Sequence, residues 1–203
     1  MTFLLRFGAI SGVLAGLFIA LPGAIEAFTG ETAATSFVLG VSPALAIPLL
    51  TALHLGQIRT AGRLGPIGYA VNLIGLGLFG GAAFTLNLAL FYFDDAIVDD
   101  LPMATRVALL GSAAVFVVGT LLFGVAMIRA GVYPRLAATT YAIAFPLFAL
   151  LAPLPDSPLT SGLHVIVGAT LVWLSTVLLA LLRTPEGETE SWSRAVPAVA
   201  PRT

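Results

Sequence analysis

Long apolar segments separated by short polar stretches fill the chain, at approximately 5–26, 35–57, 66–93, 106–128, 134–153 and 160–182. A helix needs about 20 predominantly apolar residues to cross a bilayer. The pattern therefore predicts six transmembrane helices packed as a bundle. Turn and cap residues agree with these limits. Gly65-Pro66 opens the third segment and Tyr133-Pro134 the fifth. Asp156-Ser157-Pro158 reads as an N-cap followed by proline in the first turn, and Asp100 with Pro102 is expected to do the same for the fourth.

Orientation follows from the arginines. Arg6 precedes the first segment, Arg59 and Arg63 lie between the second and third, Arg129 and Arg135 between the fourth and fifth, and Arg183 follows the sixth. These are alternate connections on one side, which the positive-inside rule assigns to the cytoplasm. The opposite connections hold Glu26, Glu31, Asp94, Asp95, Asp99, Asp100 and Asp156, with Arg106 as the one basic exception. The expected fold is thus an all-α, polytopic integral membrane protein with both termini inside. Residues 1–183 form the transmembrane domain and 184–203 a flexible cytoplasmic tail.

Composition strengthens this reading. Of 203 residues, 59% are hydrophobic and 9% charged, with mean hydropathy +1.04; a soluble domain carries about 25% charged residues. All basic side chains are arginine, and net charge is −1. Nothing resembles a basic patch with interleaved aromatics, so nucleic acid is not an expected partner. With no cysteine, thiolate catalysis and cysteine-based metal sites are excluded. The run from Phe7 to about Ile25 is longer than a signal-peptide core, and Ala24-Ile25-Glu26-Ala27 is a poor cleavage site, so it reads as a retained first helix.

Internal repetition has two readings. Ile58-Arg59-Thr60-Ala61-Gly62 resembles Ile128-Arg129-Ala130-Gly131, which would fit duplicated two-helix units. Pro43 and Pro48 in the second segment and Pro146 in the fifth would instead fit an inverted repeat of three-helix halves. The stretch Ile128-Arg129-Ala130-Gly131-Val132-Tyr133-Pro134-Arg135-Leu136-Ala137-Ala138 resembles a loop found in uncharacterised multi-pass membrane proteins of high-GC Gram-positive bacteria. That resemblance implies a cell-membrane location and carries no activity with it.

Gly8-x-x-x-Gly12-x-x-x-Gly16 sets three glycines on one stripe, and Gly77-x-x-x-Gly81 repeats the device. Small residues let helices approach closely in lipid. Packing within the bundle is the first expectation, and contact with a second copy or another membrane subunit the second. His54 and His164 are the only histidines, and ionisable groups inside a bilayer are functional candidates. At a rise of 1.5 Å per residue their depths differ by roughly 15–20 Å, which argues against a bis-histidine haem. No cofactor is expected.

Asp94, Asp95, Asp99 and Asp100 supply hard oxygen ligands for a divalent cation. They lack EF-hand spacing, and a second Asp-rich segment for diphosphate chemistry is missing, so a solvated loop is preferred. Asn72 and Asn87, about 60° apart around the third helix, are expected to face the bundle interior, as are Thr51, Thr85, Thr120, Thr139 and Thr140. With Pro48 and Pro146 freeing backbone carbonyls at mid-depth, Pro48, Thr51, His54, Asn72, Asn87, Pro146 and His164 form the candidate ligand-binding set.

No catalytic motif is present. The leading functional expectation is a small binding or transport module for a lipophilic or weakly polar molecule. An accessory or assembly subunit of a membrane complex is the second reading, and a membrane-embedded lipid-modifying enzyme the third.

Overall fold

The computed structural model describes residues 2–94, 96–97, 100–152 and 157–183. Among these there are six α-helices: α1 (Thr2–Thr29), α2 (Ala33–Gln57), α3 (Leu64–Leu88), α4 (Met103–Ala130), α5 (Arg135–Leu151) and α6 (Pro158–Leu181). A 3₁₀ turn, Leu90–Tyr92, follows α3. Helices α1, α2, α3 with its turn, α4 and α6 are long and apolar enough to span a membrane. Helix α5 has 17 residues, about 25 Å of helix against a hydrocarbon core of about 30 Å. Asp95, Asp99, Asp156 and the 184–203 tail lie outside the described residues.

Each helix packs against the next in sequence, and α6 closes back onto α1, giving a ring of antiparallel neighbours. Lipid tails are as apolar as leucine, so helices in a bilayer gain little from burying apolar surface and much from close contact. Glycine supplies that contact. Gly68 and Gly75 of α3 lie against the backbone of α4 at Phe123 and Phe116, and Gly119 of α4 against that of Asn72. Gly124 meets Ala142 of α5, and Gly16 and Gly168 bring α1 and α6 together backbone to backbone. Phe79 stacks on Phe116 with centroids 4.8 Å apart, and Phe148 meets Phe79 edge-on.

Local chemistry sets the helix ends. Thr32 caps α2 and Ser157 caps α6, each in a reciprocal box with a threonine three residues on. Gly131 ends α4 with φ +66°, a left-handed conformation that glycine adopts without the clash of a Cβ. The expected Asp100 cap is not formed. Pro102 occupies the N-cap position of α4, and its carbonyl accepts from the Thr105 and Arg106 amides.

Proline lies inside three helices: Pro22 in α1, Pro43 and Pro48 in α2, and Pro146 in α5. Pro43 lacks the N–H that would serve the Leu39 carbonyl, and the Ser42 hydroxyl donates to that carbonyl instead, at 2.9 Å.

Candidate functional site

The seven sequence-derived candidates do not converge on one cavity. The space enclosed by the ring holds about 20 Å³ and is lined by Ala46, Leu49, Leu50, Leu53, Leu76, Phe116, Tyr141, Phe145 and Leu171. None of the seven is among them. Pro48 packs against Gly8 of α1, Pro146 is buried within α5, and the others form three separate groups.

The first group lies at the end of the bundle that carries the α2–α3 and α4–α5 connections. The His54 ring stacks on Tyr69 of α3, with centroids 4.4 Å apart and planes within 7°. Thr51 shares a hydrogen bond of 3.1 Å with the Tyr69 hydroxyl. His54 Nδ1 is buried and has no hydrogen-bond partner. One turn on, Gln57 is 1% exposed, and neither its side-chain nitrogen nor its oxygen has a partner.

Tyr133, in the α4–α5 connection, reaches across this end and donates its hydroxyl to the Leu53 carbonyl at 3.0 Å. Gly56 makes room for it, since a Cβ there would collide with that hydroxyl. Burial pushes the Tyr133 phenol well above its ordinary pKa.

The second group is Asn72 and Tyr141. The Asn72 amide donates to the Tyr141 hydroxyl at 2.6 Å, while its Oδ1 is buried and unpartnered. Asn87 does not share this interior position. It is half-buried, and its amide donates to the Ala83 carbonyl of its own helix at 2.9 Å. Among the threonines expected inside, Thr120 is buried and donates to the Phe116 carbonyl, whereas Thr85 and Thr139 are exposed. Threonine can return its hydroxyl to the preceding turn, which removes any need to face inward.

The third group lies at the opposite end. His164 of α6 sits beside Gly23 of α1 and edge-on to Phe148, with centroids 4.9 Å apart. Its Nδ1 lies 2.8 Å from the Thr160 carbonyl, a bond it makes as donor in the tautomer with hydrogen on Nδ1. Among the described residues His164 therefore hydrogen-bonds within its own helix. Glu26 is buried one turn beyond Gly23.

Asp94 and Asp100 belong to the α3–α4 connection, and Asp95 and Asp99 lie outside the described residues. No group of three candidate metal ligands occurs among the described residues. An open depression of about 410 Å³ lies on α6 outside the ring, lined by Thr176, Leu179, Ala180 and Arg183.

The two glycine motifs differ sharply in their surroundings. On α1, Gly8 meets Pro48 and Ala52, Gly12 meets Leu49 and Ser175, and Gly16 meets Gly168 and Val172. On α3, nothing lies within 4 Å of a Cβ built at Gly77 or Gly81. Ile74, Leu78 and Phe84 of the same stretch are exposed. Only 11% of the most apolar window of α3 is buried, against 33–44% for the other spanning helices, so α3 presents the most surface to its surroundings.

Sequence reasoning passed over Gln57, Tyr69, Tyr133 and Tyr141. The signal for Gln57 was available, because it continues the Ala46, Leu50, Leu53 spacing that lines the ring interior. The tyrosines had none, since their partners lie 18 to 80 residues away. No family model, curated protein or solved structure matches this chain.

Proposed function

We propose that the protein is a non-catalytic accessory subunit of a membrane complex, docking a partner's transmembrane helix on the outward face of α3. In this reading all six helices cross the cell membrane and both termini are cytoplasmic. The antiparallel ring and the six arginines gathered at one end support that topology. The observation that carries the docking role is the open face at Gly77 and Gly81 on the least buried spanning helix. Glycines four apart let a second helix approach to backbone contact, which is what drives association in lipid.

The ring interior favours this reading over a binding module. Pockets for small organic ligands measure about 300–1,000 Å³, and the enclosed space here is about 20 Å³. Pro48, Asn87 and Pro146 do not line that space; Pro48 packs against Gly8 and Asn87 against Gly40. The enzymatic reading has less support, because among the described residues His164 bonds only the Thr160 carbonyl of its own helix and no acid is hydrogen-bonded to it.

The test compares wild type with Gly77→Leu and Gly81→Leu after extraction in mild detergent. Both variants are expected to melt no lower than wild type, since the new side chains enter open space and leucine favours the helix over glycine, and to lose a co-purifying membrane protein. A wild-type particle that is a monodisperse monomer overturns the proposal. So does a partner retained equally by both variants.

A further inference from the structure

At the Tyr133 end of the bundle the guanidinium groups are unspent. Arg6 stands near the start of α1, Arg59 and Arg63 in the α2–α3 connection, Arg129 and Arg135 at the ends of α4 and α5, and Arg183 after α6. All six are exposed. None of these guanidinium groups has a hydrogen bond or ion pair with any described residue, whereas Arg106 at the other end donates its Nε to the Leu101 carbonyl at 3.0 Å. The described acids, Glu26, Glu31, Asp94 and Asp100, belong to that other end as well.

Four of the six arginines lie at two connections that meet at the end of α2. The Tyr133 hydroxyl, bonded to the Leu53 carbonyl and seated over Gly56, ties the α4–α5 connection across the end of α2. Arg129 and Arg135 flank Tyr133, and Arg59 and Arg63 follow Gly56 by three and seven residues. Each guanidinium carries five N–H donors in a planar fork that matches phosphate oxygens two at a time. The loops join the ends of apolar helices, so they lie at the level where phospholipid headgroups begin.

We propose that the α2–α3 and α4–α5 connections together form a headgroup site for an anionic phospholipid, its phosphate held by Arg59, Arg63, Arg129 and Arg135. Tyr133 acts as a positioning residue that keeps the two connections together. The site is independent of the α3 face and would exist whether or not a partner helix docks there.

The experiment uses the full-length chain in detergent. Melting temperature and retained lipid, the latter by native mass spectrometry, are read with added phosphatidylglycerol, phosphatidylcholine or inorganic phosphate. Wild type should gain stability and retain lipid with phosphatidylglycerol only, and the gain should shrink as salt rises. Arg59→Gln with Arg63→Gln, and separately Arg129→Gln with Arg135→Gln, should weaken lipid binding by roughly fivefold per arginine removed. Each pair leaves four arginines at this end, enough to keep the orientation bias over Arg106. Arg106→Gln should change nothing, and Tyr133→Phe should weaken binding while leaving all charges in place.

Equal gains from phosphatidylcholine and phosphatidylglycerol overturn the proposal. An equal gain from inorganic phosphate does the same, because it marks a soluble-anion site. Loss of binding in Arg106→Gln equal to that in the paired variants also overturns it, since it leaves net charge as the sole determinant.

Discussion

Replacing Gly16 with alanine adds one methyl group where α1 and α6 touch backbone to backbone. The new Cβ would stand 2.5 Å from the Gly168 carbonyl oxygen and 2.8 Å from Val172 Cγ2, where ordinary contact begins at 3.4 Å. A carbonyl inside a helix cannot rotate away, so α1 and α6 must part by about 0.9 Å at this point, the difference between those two distances. A gap of 0.5–1 Å forfeits roughly a quarter to a half of each van der Waals contact along it. The seam concerned runs from Gly12 against Ser175 to Gly23 against His164.

Overpacking of this kind costs about 1–3 kcal/mol, which corresponds to roughly 2–12 °C in melting temperature for a chain of this size. Alanine also gains helix propensity over glycine, by roughly 0.5–1 kcal/mol. Gly77→Ala isolates that gain, because nothing lies within 4 Å of a Cβ there. The informative quantity is thus the difference between the two variants, measured by thermal unfolding in detergent. Trp173, adjacent to Val172 on α6, serves as the fluorophore. Gly168→Ala should reproduce the loss, and the double variant should fall short of additivity because both methyls open one seam. If Gly16→Ala melts with Gly77→Ala, the close approach of α1 and α6 does not hold the ring shut.

Two further outcomes follow from the same geometry. In this cysteine-free chain, single cysteines introduced at Arg63 and at Asp94 should be labelled by an impermeant reagent from opposite sides of the membrane; labelling from the same side removes the six-span topology. Burial raises the Tyr133 pKa above the unfolded value near 10, so the folded state holds that proton more tightly. Its contribution to stability is therefore intact below about pH 10 and falls as pH climbs from there toward the folded value. Tyr133→Phe should flatten that loss. About one pH unit above 10, it should also leave the phenolate absorbance of the other tyrosines unchanged; a fall of one phenolate out of four tyrosines would show that Tyr133 is open to water.

What could be read from the sequence was the set of long apolar segments and the ends at which they turn. Every predicted segment overlaps an observed helix, with limits differing by a few residues. The Ser157-Pro158 start of α6 was legible because capping is local: Ser157 and Thr160 are three residues apart. The alternation of arginines was legible because charge is costly in hydrocarbon wherever the helices pack. The start of α4 differs from the expected Asp100 cap, because Pro102 stands at the N-cap and its carbonyl accepts the first helical bonds.

The tertiary structure alone decided which face of each helix turns inward. In water an apolar stripe marks the core; in a bilayer both the core and the lipid are apolar, so the pattern fixes the span without fixing the face. Two similar glycine motifs thus met opposite fates, the α1 set against α2 and α6 and the α3 pair in open space. Tyr133 and Leu53, or Asn72 and Tyr141, come together only through ring closure. Their sequence separation leaves no periodicity to read.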